Sequence, residues 1–133
     1  MINTKRQGAS YEALFKSEAL RRGLDVLDPV GDYLTYDVLV TKGKSVFRVQ
    51  IKGTTSRPKG KKHFKIQAAK GRYSREMLTK DHCDVFAAYV APAKTWYIIP
   101  TEELIAVSMY LSPDNEYSNA QYEMWKEAWN VFA

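Results

Sequence analysis

The chain has 133 residues, 45% of them hydrophobic and 26% charged, and a formal net charge of +5. That length fits one domain spanning 1–133, and the longest apolar runs, such as Val85–Val90, are too short to cross a bilayer, so no membrane partner is expected. A lone cysteine, Cys83, and a polar start from Met1 to Arg6 without an apolar signal core point to a reducing, cytoplasmic setting. Residues 9–22 read as a helix, with Tyr11, Leu14, Phe15 and Ala19 on one apolar face and Gly23 as its stop. Leu24–Leu27 reads as a short strand, and Asp28-Pro29-Val30-Gly31-Asp32 as a turn. Tyr36–Thr41 and Ser45–Lys52 read as strands joined by a hairpin at Lys42-Gly43-Lys44. Gly53–Lys62 is a basic loop, and His63–Ala69 a third strand with Phe64, Ile66 and Ala68 on one face. Asp84–Val90 and Thr95–Ile99 form a second hairpin around Ala91-Pro92-Ala93-Lys94. Thr101 caps a helix reaching about Ser108, and Tyr117–Phe132 is a C-terminal helix rich in aromatics. This order predicts a mixed α/β (α+β) domain with a central mixed sheet flanked by helices.

The charge is unevenly spread. Arg57–Lys80 holds nine lysines and arginines against one acid, Glu76, whereas 101–133 holds six acids against one base, Lys126. A concentrated basic segment is the footprint of a polyanion partner, although a solvated loop gives the same charge signature.

Polar residues also stand where strands are ordinarily quiet. Asp37 opens one strand; Gln50 and Lys52 sit two apart on the next, so they project from one face, opposite Phe47, Val49 and Ile51. The hairpin would return that strand beside Asp37. A hard divalent cation wants oxygen ligands, here the Asp37 carboxylate, the Gln50 amide oxygen and the Ile51 backbone carbonyl. Such a cation can polarise a phosphate and acidify a bound water. Lys52 can hold or deprotonate that water, or offset charge on the phosphate. Glu12, on the first helix, can add a ligand or reach the metal through water. Because Gln50 is neutral, weaker metal binding is expected than with a second strand acid. Taken singly, each of these residues is more often a turn or solvated-face residue; their joint placement is the signal.

The pattern resembles the PD-(D/E)XK nuclease superfamily, in the branch where Gln replaces the second acid, as in the PD-(D/E)XK group I intron homing endonucleases. The matching pieces are Gly8-Ala9-Ser10-Tyr11-Glu12, Leu20-Arg21-Arg22-Gly23, Pro29-Val30-Gly31-Asp32, Tyr36-Asp37-Val38-Leu39-Val40 and Arg48-Val49-Gln50-Ile51-Lys52-Gly53-Thr54. Asp84-Val85-Phe86-Ala87-Ala88-Tyr89 and Trp96-Tyr97-Ile98-Ile99-Pro100 complete a likeness over roughly 8–100. It implies a restriction-endonuclease-like core that cleaves DNA phosphodiesters with Mg²⁺, for which Mn²⁺ can substitute. In that pattern Asp37 is the metal-binding acid, Gln50 the second ligand, Lys52 the catalytic lysine and Glu12 the helix acid.

The basic segment then reads as a phosphate clamp beside the site, through Arg57, Lys59, Lys61, Lys62 and Lys65, with Arg72 and Arg75 extending it. Arg48 and His63 are further candidate DNA contacts, and Thr54 and Gln67 could read base edges if strand 63–69 enters the major groove. The expected partner is double-stranded DNA. Cutting both strands calls for a second active site, so a homodimer or homotetramer is expected, with the C-terminal helix as a contact. The leading expectation is a homing-type endonuclease making double-strand breaks. A Holliday-junction resolvase, a toxin or restriction nuclease, and a non-catalytic DNA-binding module are the alternatives.

Overall fold

The computed structural model describes residues 4–69, 76–115 and 120–133. Tyr11, Phe15 and Ala19, at four-residue spacing, are the buried stripe of helix α1 (Thr4–Arg21), which starts five residues earlier than the periodicity indicates. Gly23, at φ +82°, ends the helix, and the Leu24 N–H closes back on the Ala19 carbonyl at 3.0 Å. Strands β1 (Asp25–Leu27), β2 (Val38–Lys42) and β3 (Ser45–Thr54) pair antiparallel in sequence. Gly43 takes φ +60°, which suits the first position of the Gly43-Lys44 turn between β2 and β3. After β4 (Phe64–Gln67), β5 (Val85–Val90) pairs parallel to β3, and β6 (Thr95–Pro100) pairs antiparallel to β5. The main sheet therefore runs β1-β2-β3-β5-β6, and β4 joins β7 (Ser108–Leu111) in a separate antiparallel pair. The expected mixed sheet forms, flanked by one α-helix among the described residues.

Strand β5 is buried along its whole length because both its faces are covered. Val85, Ala87 and Tyr89 face the α1 side with Phe15, Trp96 and Trp129. Phe86, Ala88 and Val90 face the β4–β7 side with Phe64, Leu78 and Leu111. Phe64, Ile66 and Ala68 share the buried face that their spacing predicts.

Two expected helices do not form. After Thr101, a single 3₁₀ turn over Thr101–Glu103 gives way to extended chain and β7. The Thr101 hydroxyl is buried against the Cys83 thiol at 3.3 Å instead of capping a helix, and alternate residues Met109 and Leu111 are buried as a strand requires. The C-terminal helix is replaced by 3₁₀ turns at Glu123–Trp125 and Trp129–Phe132; its expected start, 117–119, lies outside the described residues. Between the turns Glu127, at φ +51°, docks on edge strand β6. Its N–H reaches the Trp96 carbonyl at 2.7 Å, and its carboxylate accepts from Trp96 N at 2.8 Å and Trp129 Nε1 at 2.8 Å. Tyr122 and Trp129, expected on one helical face, are thereby divided between the two cores. Trp129 and Phe132 are buried within their own chain.

Candidate active site

The site lies where β2 ends alongside β3. Their pairing stops at Val38 opposite Val49, so the β3 backbone beyond this point loses its neighbour. Asp37 takes over. Its N–H donates to the Val49 carbonyl at 2.8 Å, and its Oδ2 accepts the Ile51 N–H at 2.7 Å. This locks the carboxylate against the segment carrying Gln50 and Lys52. Oδ1 has no hydrogen-bond partner among the described residues, and no partnerless side-chain oxygen there is sealed from solvent.

Glu12 reaches the site from α1. The preceding Tyr11 packs on Gly53, where an added Cβ would fall 2.3 Å from two of its ring carbons. Gly53 thus sets how closely the helix acid approaches β3. Burial raises the Asp37 carboxyl above its ordinary range, against the Ile51 N–H and the charges of Lys52 and Lys16. Burial, followed by the Asp37 charge, raises Glu12 as well. Lys52 is lowered by burial, with Asp37 acting in the opposite sense. Two carboxyls that each resist ionisation beside one another are a place where a cation gains.

Among the described residues no three His, Cys, Asp or Glu side chains gather as ligands, so a metal ion held here would need the Gln50 amide and the Ile51 carbonyl beside the two carboxylates. That is an all-oxygen set, fitted to a hard ion such as Mg²⁺ and poorly to zinc. Lys16, one turn beyond Glu12, is held by Asp28 at 2.7 Å and adds positive charge beside both acids. Its spacing from Glu12 made it findable in the sequence, and it was missed.

The expected DNA contacts divide. Lys59, Lys61 and Lys62 are exposed in the loop after β3. Lys65 and Gln67 line a cleft with Lys52 and Gly53. His63 packs edge-on to Tyr110, with centroids 4.9 Å apart. Arg57 lies over the Phe64 ring at 4.3 Å and reaches Asp114 at 3.7 Å. Two others are tied into the fold. Arg48 is committed to the fold: its Nε meets Asp84 Oδ2 at 3.1 Å, and its other nitrogens donate to Asp84 Oδ1 and the Lys80 and Asp81 carbonyls. Thr54 is buried, and its hydroxyl donates to the Lys65 carbonyl at 2.6 Å, so it ties β3 to β4. Arg72 and Arg75 lie outside the described residues.

A helix acid, a strand-opening aspartate and a Gln-x-Lys pair, gathered at the end of a hairpin in a mixed sheet, define a nuclease core of restriction-endonuclease type. The chain belongs to the PD-(D/E)XK endonuclease family, whose model matches residues 2–132. It is similar to the solved structure of the bacterial homing endonuclease I-Ssp6803I, with 22% identity, a TM-score of 0.82 and coverage of 98% of this chain and 93% of that one. It is more distantly similar to Hjc, a Holliday junction resolvase from the archaeal hyperthermophile Archaeoglobus fulgidus, with 13% identity, a TM-score of 0.52 and coverage of 89% and 88%. At these identities the likeness is one of fold. No curated protein matches the chain.

Proposed function

We propose that this protein is a Mg²⁺-dependent DNA endonuclease of homing type, making double-strand breaks at specific sites as a homodimer or homotetramer. The observation that carries this is the Asp37 carboxylate pinned to the Ile51 N–H at 2.7 Å, which gathers Asp37, Gln50, Ile51 and Lys52 at one point with Glu12 beside them. Asp37, the Gln50 amide oxygen and the Ile51 carbonyl would hold the ion, with Glu12 joining directly or through water. When bound, Mg²⁺ supplies Lewis-acid activation of the phosphodiester and of water. Lys52, its ammonium weakened by burial, holds the attacking water and takes its proton or offsets charge on the phosphate. The exposed loop lysines hold flanking phosphates without reading sequence.

Plasmid cutting with Mg²⁺ against EDTA, for wild type, Asp37→Ala and Lys52→Ala, tests the proposal. Cutting by wild type with Mg²⁺ alone, and loss in both variants, is expected. Equal DNA binding by all three with no cutting of any substrate would leave a binding module. Preference for a four-way junction over linear duplex would favour a resolvase, the reading that the Hjc fold likeness keeps in view. Sedimentation tests the assembly, and a monomer at micromolar concentration would remove it.

A further inference from the structure

Two clefts meet at Lys52 and Gly53. One, of about 410 Å³, runs toward β4 and is lined by Ser56, Lys65 and Gln67 beyond the shared pair. It matches the phosphate contacts already assigned to the basic segment. The other, of about 560 Å³, lies between the start of α1 and β3, where Lys5, Gln7 and Gly8 meet Gln50, Lys52 and Gly53. Neither the nuclease motif nor the basic segment accounts for this second space.

Its chemistry is one-sided. Lys5, Gln7, Gln50 and Lys52 are among the residues that line it, and no Asp or Glu among the described residues does. Lys5 makes no ion pair among the described residues, and the first turn of α1 holds no acid. Lys5, Gly8 and Glu12 stand at i, i+3 and i+7, so the cleft and the helix acid share one side of α1. At Gly8 an added Cβ would meet nothing within 4 Å, so the backbone there borders open space that a ligand can approach closely.

We infer that this cleft carries the cleaved DNA strand onward past the reacting phosphate, with Lys5 bound to a neighbouring backbone phosphate and Gln7 donating to the same backbone. The inference rests on the nuclease reading. The two clefts form one track with Lys52 at its midpoint. Strand backbone enters beside Lys65 and leaves beside Lys5, so phosphates on both sides of the scissile bond are held. Lys5 is thus a positioning residue outside the motif.

The test is duplex binding at several salt concentrations, without divalent metal, using a short duplex of mixed sequence, alongside plasmid cutting with Mg²⁺. Each phosphate contact adds about 0.9 to the slope of log affinity against log salt. Lys5→Gln should lose that increment, so a fourfold rise in salt should weaken it about 3.5-fold less than wild type. Lys5→Arg should keep the wild-type slope, as should Lys94→Gln, which removes an exposed charge elsewhere. Gly8→Leu, filling the cleft, should bind duplex more weakly without losing thermal stability. If wild type binds and cuts while Lys5→Gln and Gly8→Leu match it in slope and affinity, the inference falls and the nuclease reading stands. An equal slope change in Lys94→Gln also overturns it. A wild type that neither binds nor cuts DNA overturns both.

Discussion

Gly53→Ala adds one methyl at the contact that spaces α1 from β3. Gly53 does not need a positive φ, so the new side chain meets no backbone penalty and the effect is purely steric. The Cβ would lie 2.3 Å from two Tyr11 ring carbons, whereas carbon atoms rest about 3.5–4.0 Å apart. Something must therefore move by roughly 1.2–1.7 Å. The ring cannot simply swing away, because Tyr11 is buried and packs on Tyr89 with centroids 5.6 Å apart. Overpacking of this kind costs about 1–3 kcal/mol, to be read from urea unfolding. Glu12 follows Tyr11 directly, and a misplacement of about 1 Å costs on the order of 10²-fold in rate, to be read from single-turnover cleavage. Tyr11→Ala removes the ring, so in that background the added methyl should be tolerated, with a favourable coupling of about 1–3 kcal/mol. Wild-type stability and cleavage in Gly53→Ala would show that this contact does not set the position of the helix acid.

Burial works against the Asp84 carboxylate, but its hydrogen bonds and charge contact with Arg48 hold it below the ordinary carboxylate range. A carboxyl held lower in the folded chain than in the unfolded one stabilises the fold fully above that range, and the contribution fades as pH falls through the depressed value. Arg48→Met should therefore unfold at lower urea than wild type at neutral pH, with the gap shrinking in acid, and should leave the salt slope of DNA binding unchanged. A gap that is constant with pH would refute the clamp. Asp114→Asn frees Arg57 from a half-exposed pair and should raise duplex affinity a few-fold with stability within about 0.5 kcal/mol of wild type; lower affinity would contradict this. Gln50→Glu adds a third carboxylate beside Asp37 and Glu12, so the metal-free chain should melt lower and gain more from added Mg²⁺ than wild type does. Equal Mg²⁺-induced shifts in melting temperature would argue against Gln50 as a ligand.

What the sequence made legible was local. Alternation along β3 put Gln50 and Lys52 together, opposite Val49 and Ile51, because a strand repeats every two residues. The four-residue spacing of Tyr11, Phe15 and Ala19 announced α1 and its buried stripe. What it hid depended on partners far along the chain. Arg48 looked like a free cation on the catalytic strand because Asp84 is 36 positions away. Thr54 looked available until its hydroxyl found the Lys65 carbonyl. The aromatic C-terminus has helical spacing, but the Glu127 carboxylate bonds to Trp96, 31 positions earlier, and that holds the chain on an edge strand instead. Lys5 lay on the Glu12 side of α1 all along, but it precedes the apolar periodicity from which the helix was read.

The site's geometry follows from its hairpin. Lys42 pairs with Ser45 across the Gly43-Lys44 turn, and the same register carries Val38 to Val49. One step further along each strand brings Asp37 to Gln50, so the turn length fixes the spacing between the acid and the Gln-x-Lys pair. It also explains why an acid serves at position 37. Where β2 leaves off, the Ile51 N–H needs an acceptor, and the Asp37 carboxylate supplies it with one oxygen, leaving the other without a hydrogen-bond partner among the described residues. One residue thereby ends a ladder and, in the proposed function, begins the metal site. Adding a residue to the turn would shift β2 by one position against β3, turning its side chains to the opposite faces. The core contacts of Val38 and Val40 would be lost together with the acid, so the register that builds the site is the one that buries the core.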